Sequence, residues 1–150
     1  MATYYSNYFV AFPVTDQSGN TVYEDRCPRP SRNGETISFS ATVTMPAVVA
    51  TGDVLRFLKV PKGAVLRDAE VSVSTSFGTD CPGTLGWETI DVNAFDTDVA
   101  FETVANTIIA DANIMAEGAT TAEDYLSVTV GTVDTGAAGV ATITGTYGIV

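Results

Sequence analysis

Residues 35–45 read ETISFSATVTM, and this stretch decides the fold. Ile37, Phe39, Ala41, Val43 and Met45 occupy every second position, with Ser38, Ser40, Thr42 and Thr44 between them. Side chains on a strand point alternately to its two faces, so this spacing makes one face apolar and the other hydroxyl-bearing. Such a period marks a sheet with one buried face.

Downstream, DVLRFLKV (53–60) reads as a second strand. It puts Val54, Arg56, Leu58 and Val60 on one face and Leu55, Phe57 and Lys59 on the other. PKG (61–63) turns the chain into AVLRDAEVSVSTS (64–76), whose apolar residues Val65, Ala69, Val71 and Val73 change phase and predict a bulge near Asp68. GTDCPG ends that strand, and TLGWETI (84–90) carries a short one with Trp87. The segment 91–118 is neither cleanly alternating nor well amphipathic. It predicts a short helix capped by Asp98, with Phe101, Val104, Ala105, Ile108 and Ile109 near one face. YLSVTVGTV (125–133) and GVATITGTYGIV (139–150) are two further strands, which DTGAAG is expected to join as a hairpin.

Upstream, residues 1–12 hold Tyr4, Tyr5, Tyr8, Phe9 and Phe12 among small residues. Aromatic surface on this scale wants burial, either as the first strand of the core or as an arm on a neighbouring molecule. Residues 13–34 read as loop, dense in Pro, Gly, Asn and Ser. Within it RCPRPSR presents Arg26, Arg29 and Arg32 on a proline-stiffened backbone. Such arginines are either a solvated loop or bidentate partners for another protein's carboxylates.

The sequence therefore predicts an all-β fold: an antiparallel β-sandwich, jelly-roll-like, with one short helix and an extended N-terminal arm. A single domain is expected over residues 1–150, with the arm and basic loop at 1–34 and the sandwich core at 35–150. A chain of this length buries enough surface to need neither metal nor disulfide. Cys27 and Cys81 are the only cysteines. Each precedes a proline, and both read as free thiols rather than a bridge.

Charge narrows the partners. Residues 1–67 carry all seven basic residues and five acids, a balance of +2, whereas residues 68–150 carry thirteen acids and no base, a balance of −13, which makes the total −11. Phosphates and anionic headgroups repel such a chain, so neither nucleic acid nor a membrane surface is an expected partner. No targeting segment or membrane-length apolar run is visible. The low charged fraction of 17% also suits a surface partly covered by other molecules.

The usual chemistry of catalysis is missing. There is no histidine, no Cys-x-x-Cys, no phosphate-binding glycine loop and no nucleophile elbow. Asp91, Asp96 and Asp98 sit in a polar stretch that hard cations favour, but the spacing is not that of a calcium loop and solvated acids are the plainer reading. Trp87 near Asp91 has the elements of a sugar platform, against the plainer reading of a core tryptophan. A binding protein is expected, with no cofactor, no metal and no enzymatic activity.

TGDVLRFLKVPKGAVLRDAEVSVS (51–74) resembles a strand–turn–strand unit of small structural proteins of tailed phages. The matching residues are Gly52, Asp53, Val54, Pro61, Lys62, Gly63 and Ala64, then Trp87, Asp91 and Phe95, and the likeness runs over residues 35–150. The resemblance implies a capsid decoration (cement) or related head protein: a jelly-roll-like fold, assembled as a dimer or trimer and bound to the major capsid protein on the shell exterior after synthesis in the host bacterial cytoplasm. Such a protein would clamp neighbouring capsid subunits. The partner-contacting residues expected on this reading are Tyr4, Tyr5, Tyr8, Phe9, Arg26, Arg29 and Arg32, with the arm adding a strand to a neighbour. A receptor- or glycan-binding module of a head fibre or tail is the alternative. The loop at 26–32 lies outside the resemblance.

Overall fold

A computed structural model describes residues 1–10, 13–15 and 17–150. In chain order the elements are β1 (Thr3–Tyr5), α1 (Asn7–Val10), β2 (Pro13–Thr15), β3 (Thr21–Tyr23), β4 (Thr36–Thr44), β5 (Val54–Val60), β6 (Ala64–Thr75), β7 (Gly78–Thr79), β8 (Pro82–Trp87), β9 (Asp91–Ala100), β10 (Asn106–Ile108), α2 (Asp111–Ala116), β11 (Asp124–Val130), β12 (Thr135–Gly136) and β13 (Val140–Ile149).

The deciding stretch behaves as its alternation requires. In β4, Phe39, Ala41 and Val43 are buried and face the partner strand β13 at Gly145, Ile143 and Ala141. Ser38 and Ser40 stay exposed. Two sheets form the sandwich: a large one ordered β1-β5-β11-β8-β9 and a small one ordered β10-β6-β13-β4. Apart from β1, the chain crosses from one sheet to the other at every long connection except the β8–β9 hairpin, and all pairings except β1–β5 are antiparallel. That is the wrapping of a jelly roll. Phe57, Leu58, Leu126 and Val128 from the large sheet meet Phe39, Val71, Ile143 and Tyr147 from the small one in a single core.

Two bulges re-aim side chains. In β6, Asp68 pairs with Thr146 and Leu66 with Tyr147, so Arg67 is the extra residue, where the phase change predicts it. In β5, Leu58 pairs with Leu126 and Arg56 with Ser127, leaving Phe57 extra. Phe57 and Leu58 are consequently both fully buried, and strict alternation along β5 fails. Ser6 donates its hydroxyl to the bulged Phe57 carbonyl at 2.6 Å, which satisfies the group the ladder leaves open.

Three expectations are corrected. The last two long strands do not form a hairpin, because β11 lies in the large sheet and β13 in the small one. The connection between them carries β12, which pairs with β7. Its glycines permit close packing: a Cβ on Gly136 would lie 2.1 Å from the Val49 carbonyl oxygen. The helix expected near 98–109 is absent. β9 runs to Ala100 and pairs with β8, while Val104 and Ile108 are 62% and 77% exposed. Phe95, Val99 and Phe101 turn inward instead, so sheet pairing overrides a weak helical spacing. The short helices are α1 and α2.

The third correction concerns the arm, which does not extend away from the body. β1 runs parallel to β5, pairing Thr3 with Val54 and Tyr5 with Arg56, and Phe9 is buried in the core. The aromatics thus reach apolar surroundings within their own chain, without needing a neighbour. Phe12 lies outside the described residues.

Candidate functional site

The outer face of the large sheet gathers a cluster of charged and aromatic side chains that takes in Tyr5, one of the residues expected to contact a partner. Arg56 and Lys59 project from β5 on either side of the bulge, and Tyr125 projects from β11, its Cα partner being Lys59. Arg56 donates from Nε and Nη2 to the two carboxylate oxygens of Glu88, each at 2.6 Å, and from Nη1 to the Tyr5 hydroxyl at 2.7 Å. Its guanidinium lies 4.3 Å from the Tyr125 ring centroid and 5.3 Å from that of Tyr5. This bidentate pair, mostly shielded from water, raises the Arg56 pKa and fixes the guanidinium plane between two rings. Lys59 pairs with Glu123 at 2.7 Å, which raises its pKa as well.

The basic loop is fastened beside this cluster. Arg26 pairs with Glu24 at 2.7 Å. Arg29 pairs with Asp25 and stands 3.8 Å from Glu123. Burial works to raise the Asp25 pKa, but the Cys27 amide and Arg29 outweigh it and the carboxyl is held below its ordinary value. Cys27 is buried, accepts the Lys59 amide on Sγ at 3.2 Å, and has its thiol pushed up to about 12 by burial. Tyr147 donates its hydroxyl to the Pro28 carbonyl at 2.6 Å, tying the loop to β13. Arg32 is exposed. Cys27 and Cys81 are both free and buried.

The expected aromatics separate by depth. Tyr4, Tyr5 and Tyr8 are half-buried, whereas Phe9 is 3% exposed and holds Tyr5 edge-on at 5.4 Å. Tyr8 and its neighbour Asn7 do something the sequence did not suggest. The Tyr8 hydroxyl accepts the Ser40 amide at 2.8 Å and the Asn7 side chain accepts the Thr42 amide at 2.7 Å, so α1 covers the outward amides of edge strand β4. A groove of about 420 Å³ opens between Tyr5, Phe9, Val22, Lys59 and Tyr125.

Sequence reasoning missed Ser6, Asn7, Glu88, Glu123 and Tyr125, because nothing local to any of them announces a distant partner. Asp53, quoted above only as part of a resemblance, has a visible task. It is buried, and its carboxylate accepts the amides of Ala2 at 2.7 Å and Ala50 at 2.9 Å, fastening β1 at the start of β5.

The alternative platform is corrected. Trp87 is 2% exposed and packs edge-on against Phe95 at 5.1 Å, so it has no free face on which a sugar ring could stack. The carboxylates of Asp91 and Asp96 accept the amides of Asn93 and Asp98, two residues on. Among the described residues no three potential ligands converge on a metal position.

No protein-family model matches this sequence, and no curated protein matches it. The fold is nonetheless shared with solved structures. A chain in the capsid of Ralstonia phage GP4 superposes with a TM-score of 0.67 at 14% identity, over 83% of this chain and 90% of that one. A chain in the capsid asymmetric unit of cyanophage Pam1 does so with 0.61 at 13% identity, over 93% and 100%. A chain in the acid-stable capsid of Helicobacter pylori bacteriophage KHP30 does so with 0.55 at 15% identity, over 79% and 90%.

Proposed function

We propose that this chain is a structural virion protein of a bacteriophage. It binds the outer surface of the capsid and stabilises it by clamping neighbouring major capsid subunits, as a decoration or cement protein does. The observation that carries the reading is the agreement of this backbone, over most of its length, with chains of three phage capsids. The charge balance agrees with it: a net −11 surface is repelled by packaged DNA and favours the exterior of the shell. On this reading the protein is made in the host cytoplasm, assembles as a dimer or trimer and catalyses nothing. The glycan-binding alternative loses its main support with the burial of Trp87.

Mixing the purified chain with expanded capsids that lack it tests the proposal. Saturable binding at near-stoichiometric copy number, together with a raised capsid disruption temperature, is the expected result. Capsids that take up no protein would end the proposal. Binding that leaves capsid stability unchanged would remove the clamping role.

A further inference from the structure

Among the described residues, the amides of two edge strands are already occupied: those of Ser40 and Thr42 in β4 are taken by Tyr8 and Asn7, and β9 turns its Asn93 and Asp98 amides onto its own aspartates. A strand edge so engaged is a poor template for a strand from another chain. The other two edge strands, β1 and β10, are three residues each, so contact with a partner is more readily made through a face. The outer face of the large sheet carries the Arg56–Glu88 and Lys59–Glu123 pairs, which already satisfy one another.

The outer face of the small sheet is different. Its centre is a depression of about 400 Å³ between β4, β6 and β13. Gly145 belongs to its lining, and a Cβ there would lie 2.2 Å from the Asp68 carbonyl oxygen, so β13 passes close to β6 at this point. Short hydroxyls, among them Ser38 and Thr144, line it beside the carboxylates of Asp68 and Glu70, and Ile108 stands on its rim 77% exposed. Asp68 accepts the Thr146 hydroxyl, but among the described residues neither carboxylate is paired with a Lys or Arg.

We infer that this depression is a docking surface for a basic side chain, Lys or Arg, presented by the partner protein's surface. Two carboxylates without a cation, among hydroxyls and around a cavity of side-chain size, are complementary to a long cationic side chain, and Ile108 supplies apolar contact beside it. A two-fold contact between copies suits the surface poorly, since it would set Asp68 and Glu70 against their own counterparts. The inference rests on the decoration reading and locates the contact within it.

The test measures capsid binding by the full chain and by three variants, with sedimentation velocity and melting curves on each. Glu70→Lys reverses the charge, Thr144→Trp fills the depression without changing charge, and Asp98→Lys makes the same reversal on the β9 edge. Glu70→Lys and Thr144→Trp should each weaken binding by about tenfold or more, while Asp98→Lys stays within about twofold of wild type. Wild-type binding that Glu70→Lys and Thr144→Trp both leave intact overturns this inference and spares the decoration reading. If the wild-type chain does not bind, both fail. Variants that break the chain's own oligomer while each copy still binds capsids would make the surface a contact between copies, which also overturns the inference.

Discussion

The two outer faces of the sandwich use polar residues in opposite ways. On the large sheet, long charged chains are locked into pairs: Arg56 to Glu88 and Tyr5, and Lys59 to Glu123. On the small sheet, short hydroxyls dominate, and Asp68 and Glu70 have no ion-pair partner among the described residues. The difference teaches that the basic residue which fastens the N-terminal segment is not one of the conspicuous ones: Arg56 holds Tyr5, while Arg26, Arg29 and Arg32 of the basic stretch stay exposed.

Four measurements break or sharpen that contrast. Phe9→Ala should have the largest effect, lowering stability by about 3–5 kcal/mol in denaturant unfolding, because Phe9 anchors the segment in the core. A loss under about 1 kcal/mol would mean the segment is only loosely attached. Glu88→Ala should cost about 2 kcal/mol, since it leaves a partly shielded guanidinium without its carboxylate. If the pair were an ordinary surface contact, the cost would fall below about 1 kcal/mol.

Acid should act more mildly, and through the loop. A carboxyl whose folded pKa is lowered contributes its full stabilisation above its unfolded value, 3.8 for Asp25, and loses it as pH falls through the lower folded value. Amide exchange at Cys27, whose N–H is bonded to Asp25, should therefore speed up below that pH relative to the core strands. Asp25→Asn should flatten this dependence, and an unchanged profile would remove Asp25 from the fastening. The smallest effect belongs to the opposite face: Ser38→Ala should change the melting free energy by no more than about 0.5 kcal/mol. A larger loss there would show that the hydroxyl face contributes to the fold itself.

Much of the sandwich was legible because alternation is local. ETISFSATVTM exposes its period within one strand, and the phase change at Asp68 marks a bulge that the pairing of β6 with β13 contains. The β9 region was not legible. It takes two register shifts against β8, and the exposed Thr97 interrupts the phase on which Phe95, Val99 and Phe101 are buried. The candidate site was legible only in part. Arg26, Arg29 and the aromatics stand out in the sequence, but their partners Glu24, Asp25, Glu123 and Arg56 are ordinary residues until the fold assembles them.

Length and the period of two are properties of the chain read in order, and from them alone follows an all-β body with a buried face. Which sheet each strand joins, whether the N-terminal aromatics turn inward, and which charges neutralise one another depend on contacts between residues far apart in the chain. Tyr5 and Arg56, or Tyr147 and Pro28, meet only because the two sheets close on a common core. Side-chain direction along one strand is set by local backbone geometry, whereas such meetings are selected by the burial free energy of the whole chain, which no short segment encodes.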